Sequence, residues 1–218
     1  MLRVVRRSST FLTCVRRYSA QGLQRDDIHF SQLDEDMLLD FSDLETRSED
    51  NAWVDEIEQR MIDCIKIDRH EIATKVFDKF KDKKVVEYIP LRMYNYLLQA
   101  LVPQQEIERA FAVVRDMISS GIDPDTDTYT SMIRMCCSCG YIEKACEIYQ
   151  HMISQGLRPT NTIANSLVFT HCKQRQFYKA TQLLQSLTEN GIPFDENSST
   201  FAHLKENPEF LAEMNKHR

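Results

Sequence analysis

Residues that interrupt regular structure are scarce in this chain, with 5 Gly and 6 Pro among 218 residues. That composition, together with much Leu, Met and charge, fits a helical protein. No glycine-rich phosphate loop is present, which removes the nucleotide-binding motifs built on one. No apolar run approaches the roughly 18 residues that a membrane span needs, so the chain reads as soluble or peripheral. Catalytic and metal-binding constellations are missing as well. His70, His151, His171 and His203 are scattered without a carboxylate or Cys set around them. Cys136, Cys137 and Cys139 stand close together, yet no second matched pair accompanies them. A structural zinc site wants four thiolates or imidazoles within tetrahedral reach. The cysteines therefore read as small packing residues, and no metal or other cofactor is expected.

Acid is absent from the first 25 residues, "MLRVVRRSSTFLTCVRRYSAQGLQR", which carry Arg at 3, 6, 7, 16, 17 and 25. An Arg-rich, Ser-rich, acid-free start that can wind into an amphipathic helix reads as a mitochondrial presequence. The stretch "RRYS" places its cleavage after Tyr18, giving a targeting segment over 1–18 and a mature protein in the matrix. A merely basic disordered tail is the alternative. A secretory signal fits less well, because no continuous apolar core is present. Beyond residue 25 the balance reverses, with 21 Lys+Arg against 33 Asp+Glu. The excess sits in residues 26–90, with 19 acids and 9 bases, whereas residues 91–195 hold 10 and 9. An acidic body is not the usual electrostatic footprint of a nucleic-acid binder. Residues 19–50 are acidic and weakly patterned, and are expected to be flexible.

What is present is a period. "SSGIDPDTDTYTSMI" and "SQGLRPTNTIANSLV" nearly repeat one another, with Gly121 and Gly156, and Pro124 and Pro159, each 35 residues apart. Three rows follow, over 91–125, 126–160 and 161–195. Ala110, Ala145 and Ala180 fall in register, as do Met117, Met152 and Leu187, and Ile107, Ile142 and Phe177. Within a row, apolar residues recur at helical spacing on either side of a break, which predicts two helices. The aligned Ala marks a close helix crossing. The terminal Gly and the Pro after it mark a left-handed cap and a stop. One such hairpin cannot bury its apolar face alone, so the rows must stack. A degenerate earlier unit is expected over 51–90, where Ala73, Val76, Phe77 and Phe80 mimic the second-helix pattern. A partial capping unit is expected over 196–218.

The 35-residue period, "MYNYLL" opening the first row, the aligned Ala, the late Met, and "GIDPD" and "GLRPT" at the row ends resemble the pentatricopeptide-repeat family. The tetratricopeptide repeat differs in its 34-residue period and in preferring a small residue where Met117 and Met152 stand. The resemblance implies an all-α fold, a right-handed α-solenoid of stacked helix-turn-helix repeats. It implies binding of single-stranded RNA, one base per repeat, in organellar RNA processing, stability or translation.

The resemblance also implies the contact residues. One reader follows the aromatic that opens the first helix, and the other ends the unit. The pairs are Asn95 with Asp125, Thr130 with Thr160, and Asn165 with Asp195. Asn with Asp is the family pairing that favours uracil, whereas Thr with Thr matches no strong pairing. The second residue of a unit is usually aliphatic and sandwiches the base. Here Arg92, Asp127 and Thr162 stand there, and Arg92 can stack through its guanidinium plane. A Lys near the end of the first helix often meets phosphate, and Lys173 fills that place where Pro103 and Ser138 do not. Relatives that carry a catalytic domain after the repeats need far more than the 23 residues that follow Asp195, so no enzymatic activity is expected. Expected partners include mitochondrial RNA-processing or ribosomal proteins. The alternative function is structural: a solenoid subunit holding protein in a mitochondrial assembly.

Overall fold

The computed structural model describes residues 52–82, 89–189, 191 and 207–216. The expected presequence, the acidic segment 19–50, linker residues 83–88, Asp195 and the first half of the terminal unit lie outside the described residues. Among the described residues there are nine helices and no strand. They are α1 (Ala52–Lys66), α2 (His70–Asp82), α3 (Leu91–Gln104), α4 (Ile107–Ser119), α5 (Thr126–Ser138), α6 (Ile142–Ser154), α7 (Asn161–Lys173), α8 (Phe177–Glu189) and α9 (Pro208–Lys216). Among the described residues the fold is all-α, built of helix-turn-helix repeats. No helix among the described residues is long and apolar enough to cross a membrane. The chain divides into two compact units, residues 1–100 and 101–218.

In the first unit α1 and α2 make a hairpin. Val54, Ile57, Met61 and Cys64 recur every three or four residues along α1 and are buried. Ala73, Val76, Phe77 and Phe80 do the same along α2. The Phe77 ring lies 5.6 Å from that of Tyr94 on α3, an edge-tilted spacing that favours aromatic pairs. Arg60 is buried with its guanidinium 3.0 Å from Glu56 one turn earlier. A guanidinium removed from water needs such a partner.

In the second unit the hairpins α5/α6 and α7/α8 follow α4 and precede α9. Ala110, Ala145 and Ala180 are fully buried, and so are Met117, Met152 and Leu187. The core runs without a break through Ile133, Met152, Leu167, Leu187 and Phe210. Burying each large apolar side chain contributes roughly 1.5–3 kcal/mol, so the in-register positions supply the stacking energy. Pro208 opens α9 at the first helical position, where it lacks no needed donor. The Phe210 ring, 6.5 Å from that of Phe177, closes the end of the core.

One cap recurs throughout. After α4, Gly121 takes a left-handed φ of 76°, and the Ile122 N–H reaches back to the Met117 carbonyl at 3.1 Å. After α6, Gly156 (φ 75°) and Leu157 repeat the pattern. These are Schellman closures, and they leave the last carbonyls satisfied. The turns inside the hairpins place Asp68, Gln105, Gly140 and Arg175 in the same left-handed region. Space does not demand glycine at Gly121, Gly140 or Gly156, since a Cβ there would meet nothing within 4 Å. Backbone conformation alone does. Stacking register is fixed at these turns. The Gln174 amide donates to the Gly140 carbonyl at 2.8 Å, and the Cys139 thiol points at the Gln105 carbonyl at 3.8 Å.

Candidate nucleic-acid interface

The outward face of each first helix is built from residues three and four apart, which lie one above another. On α5 these are Asp127, Thr130, Arg134 and Ser138. On α7 they are Thr162, Asn165, Phe169 and Lys173. Each row runs from the helix start to its last turn.

The two faces differ in what they leave available. The Thr130 hydroxyl donates back to the Thr126 carbonyl at 2.7 Å, and that of Ser138 to Met135 at 2.9 Å. Both hydroxyl protons are spent within the helix. Asn165 is half-buried, and its Oδ1 is buried without a hydrogen-bond partner in the protein. Such an acceptor is costly unless something reaches it. Lys173 is exposed in the last turn of α7.

The unit-ending residues turn out to start the next helix. Asp125 caps α5. Its Oδ1 accepts from the Thr128 N–H at 2.9 Å and from the Thr128 hydroxyl at 2.9 Å. The reciprocal bond from the Asp125 N–H to Thr128 Oγ1 completes a capping box. Thr160 caps α7 more loosely, accepting from the Ile163 N–H at 3.4 Å. The resemblance implies base reading for both residues, and the structure adds a capping role to each. The spacing Asp-x-x-Thr ahead of an apolar run was the available signal.

In the first unit, Asn95 is half-buried on α3. Arg92 stands at the start of α3 and pairs with two carboxylates of α1, Asp55 at 2.8 Å and Glu58. Hydrogen bonds made in the guanidinium plane leave its faces open for stacking. They also set two negative charges beside it, so Arg92 offers little net attraction for phosphate.

Nothing in this unit or the other gathers for metal chemistry: no three His, Cys, Asp or Glu among the described residues come together as ligands. The six described cysteines are free thiols. Burial pushes Cys136 and Cys137 up to about 11 and Cys172 up to about 12. They stay protonated and pack. Burial also lowers the pKa of His171, whose Nδ1 meets Gln176 at 2.9 Å and whose Nε2 lies 3.5 Å from Cys146. These two residues edge an open groove with Glu143, Glu147, Gln150 and Lys179, where charges of both signs mix.

The PPR repeat family profile matches residues 92–138, and the PPR repeat profile matches residues 127–157. Residues 92–157 of the chain thus match pentatricopeptide repeats. Among solved structures, nuclear proteinaceous RNase P 2 from A. thaliana is similar at 20% identity and a TM-score of 0.58, over 75% of this chain and 38% of its own. The pentatricopeptide repeat protein PPR10, solved in complex with an 18-nt psaJ RNA element, matches at 18% identity and a TM-score of 0.62, over 93% of this chain and 32% of its own. A PPR10 structure from maize is similar too, at 17% identity and a TM-score of 0.56, over 94% of this chain and 26% of its own. The PPR domain of Arabidopsis thaliana protein-only RNase P 1, in complex with tRNA, matches at 20% identity and a TM-score of 0.50, over 76% of this chain and 94% of its own. This chain thus spans well under half the length of the first two proteins. No curated protein sequence matches it.

Proposed function

We propose that the protein binds single-stranded RNA along the outward faces of its first helices. It would act in mitochondria, in organellar RNA processing, stability or translation, within a larger complex. The observation that carries this reading is the α7 face, where Asn165 holds an unpartnered acceptor one helical turn or two from exposed Phe169 and Lys173. The likeness to repeat proteins solved with RNA supports it. The Asn95–Asp125 and Asn165–Asp195 pairs lean the preference toward uracil. An amide both donates to and accepts from a base edge, and a carboxylate can orient it directly or through water. The Arg-rich start supports import into the matrix.

Magnitudes favour work beside partners. Stacking contributes roughly 1–3 kcal/mol per base, so three repeats supply about 3–9 kcal/mol before ordering costs. Micromolar binding needs about 8 kcal/mol net. A second reading, a structural subunit whose solenoid holds protein, is favoured by the acid excess beyond residue 25 and by the two carboxylates on Arg92.

Binding of the full chain to a uracil-rich oligonucleotide at two salt concentrations tests the choice. The RNA reading expects binding that weakens as salt rises, since phosphate contacts release counterions. No salt-sensitive binding at tens of micromolar would leave the structural reading in its place.

A further inference from the structure

The position that usually sandwiches a base carries Asp127 and Thr162 in the second unit, neither planar nor apolar. One pair on the same faces is planar. Phe169 is 44% exposed on α7, a large ring on an otherwise polar face. Arg134 is exposed on α5, and its side chain makes no ion pair or hydrogen bond with the described residues. The two are 35 residues apart, one repeat, and α5 packs on α7. The Gln174–Gly140 hydrogen bond pins these helices in that register, so Arg134 and Phe169 stand at the same height on neighbouring helices. Packed helix axes lie about 8–10 Å apart. A base held in van der Waals contact on both faces needs its two flanking planes about 7 Å apart, which side chains rising from neighbouring helices can frame.

We propose that Arg134 and Phe169 form a two-sided clamp for one unstacked nucleobase, guanidinium on one face and ring on the other. This inference rests on the RNA-binding reading above and adds the residues that hold the base plane. The arrangement along α7 supports it. Asn165, Phe169 and Lys173 succeed one another at four-residue steps, about 6 Å of rise each. Base edge, base plane and phosphate thus meet a fitting group in turn. Stacking tolerates any base, so the clamp supplies affinity and leaves discrimination to Asn165.

The test measures binding of a 12-nucleotide oligouridine, and of an abasic oligomer of equal length, to the full-length protein and its variants. Phe169→Ala should weaken oligouridine binding roughly 5- to 150-fold. It should leave the salt slope and the abasic affinity unchanged, because no phosphate contact is lost. Phe169→Tyr should bind as the parent does, and Phe169→Leu should fall between Phe169→Ala and the parent, since an aliphatic side chain contacts a base face but does not stack on it. Arg134→Lys, which keeps the charge and loses the plane, should weaken binding several-fold at an unchanged salt slope. Parent-like binding by Phe169→Leu and Arg134→Lys would overturn the clamp while leaving RNA binding intact. A parent protein that binds neither oligomer would overturn the RNA reading and the clamp together.

Discussion

Helices α5 and α7 occupy equivalent places one repeat apart, yet their outward faces have little in common. Inward they agree closely. Met132 and Leu167, Ile133 and Val168, and the left-handed residues Gly140 and Arg175 that follow the two helices recur at the same register. Outward, α5 presents Asp127, Arg134 and two hydroxyls that bond back to their own helix, whereas α7 presents Thr162, a half-buried amide whose Oδ1 has no partner, an aromatic ring and a lysine. The period therefore records what stacking requires, and the departures from it record what each repeat offers a partner. Changes at periodic positions should act on stability in both repeats, and changes on the faces should separate them.

The largest effect is expected in the shared interior. Met152→Ala empties a fully buried site and should cost about 2–5 kcal/mol. Ala145→Leu should cost about 1–3 kcal/mol by overpacking the crossing. Leu187→Ala, its counterpart one repeat on, should cost about as much as Met152→Ala, measured by denaturant unfolding. A cost under 1 kcal/mol for either truncation would mean that the two repeats do not share one packing plan.

Caps come next and should already differ. Asp125→Ala removes a complete capping box and should cost about 1–2 kcal/mol, whereas Thr160→Ala removes one long hydrogen bond and should fall near 0.5 kcal/mol. Asp125→Asn keeps the cap and should restore most of the loss. If Asp125→Asn restores stability and still loses preference for uracil, the residue has both roles. Equal costs for the two Ala variants would put the two cap geometries at odds with their energetics.

The backbone term is of the same order as a cap. Arg175 holds a left-handed φ of 59° that Gly140 holds at no steric cost. Arg175→Gly should therefore stabilise by up to about 1 kcal/mol, and Gly140→Ala should destabilise by about 1–2 kcal/mol. A thermal melt that moved the wrong way for both would show that side-chain contacts, not φ, govern these turns.

How much of this could be read in advance follows from the same contrast. Ala110, Ala145 and Ala180 were legible because burial imposes the same demand in each row. The inner turns were legible only at Gly140. Asp68, Gln105 and Arg175 adopt the same conformation without a residue type that announces it. The capping box at Asp125 was written in the local spacing, but the resemblance drew attention to base reading instead. The Arg92 pairing with Asp55 and Glu58 lay hidden because the first repeat is offset. Asp55 precedes Arg92 by 37 residues, as Ala73 precedes Ala110. A 35-residue ruler passes over that match. Phe169 was overlooked because an exposed aromatic inside a helix gives no signal until its neighbours are known to be buried.

The smallest effect on stability, and the sharpest on function, should come from the amide itself. Asn165→Ala removes a side chain whose buried Oδ1 has no partner in the protein. Folding gives up nothing for that atom, so the melting temperature should hold or rise slightly. If RNA is read here, the same change should cost about 1–3 kcal/mol of discrimination, the range for one base-edge contact. Thr130→Ala is the matched control one repeat earlier. Its hydroxyl proton already serves the Thr126 carbonyl at 2.7 Å, so losing it should leave base preference untouched. Binding of oligonucleotides that differ at a single base, measured for both variants beside the parent, reads the difference directly. Equal losses from the two variants would mean that the faces of α5 and α7 act alike. Loss of folding in Asn165→Ala would mean that the amide belongs to the interior, and the first-helix register proposed for recognition would be wrong.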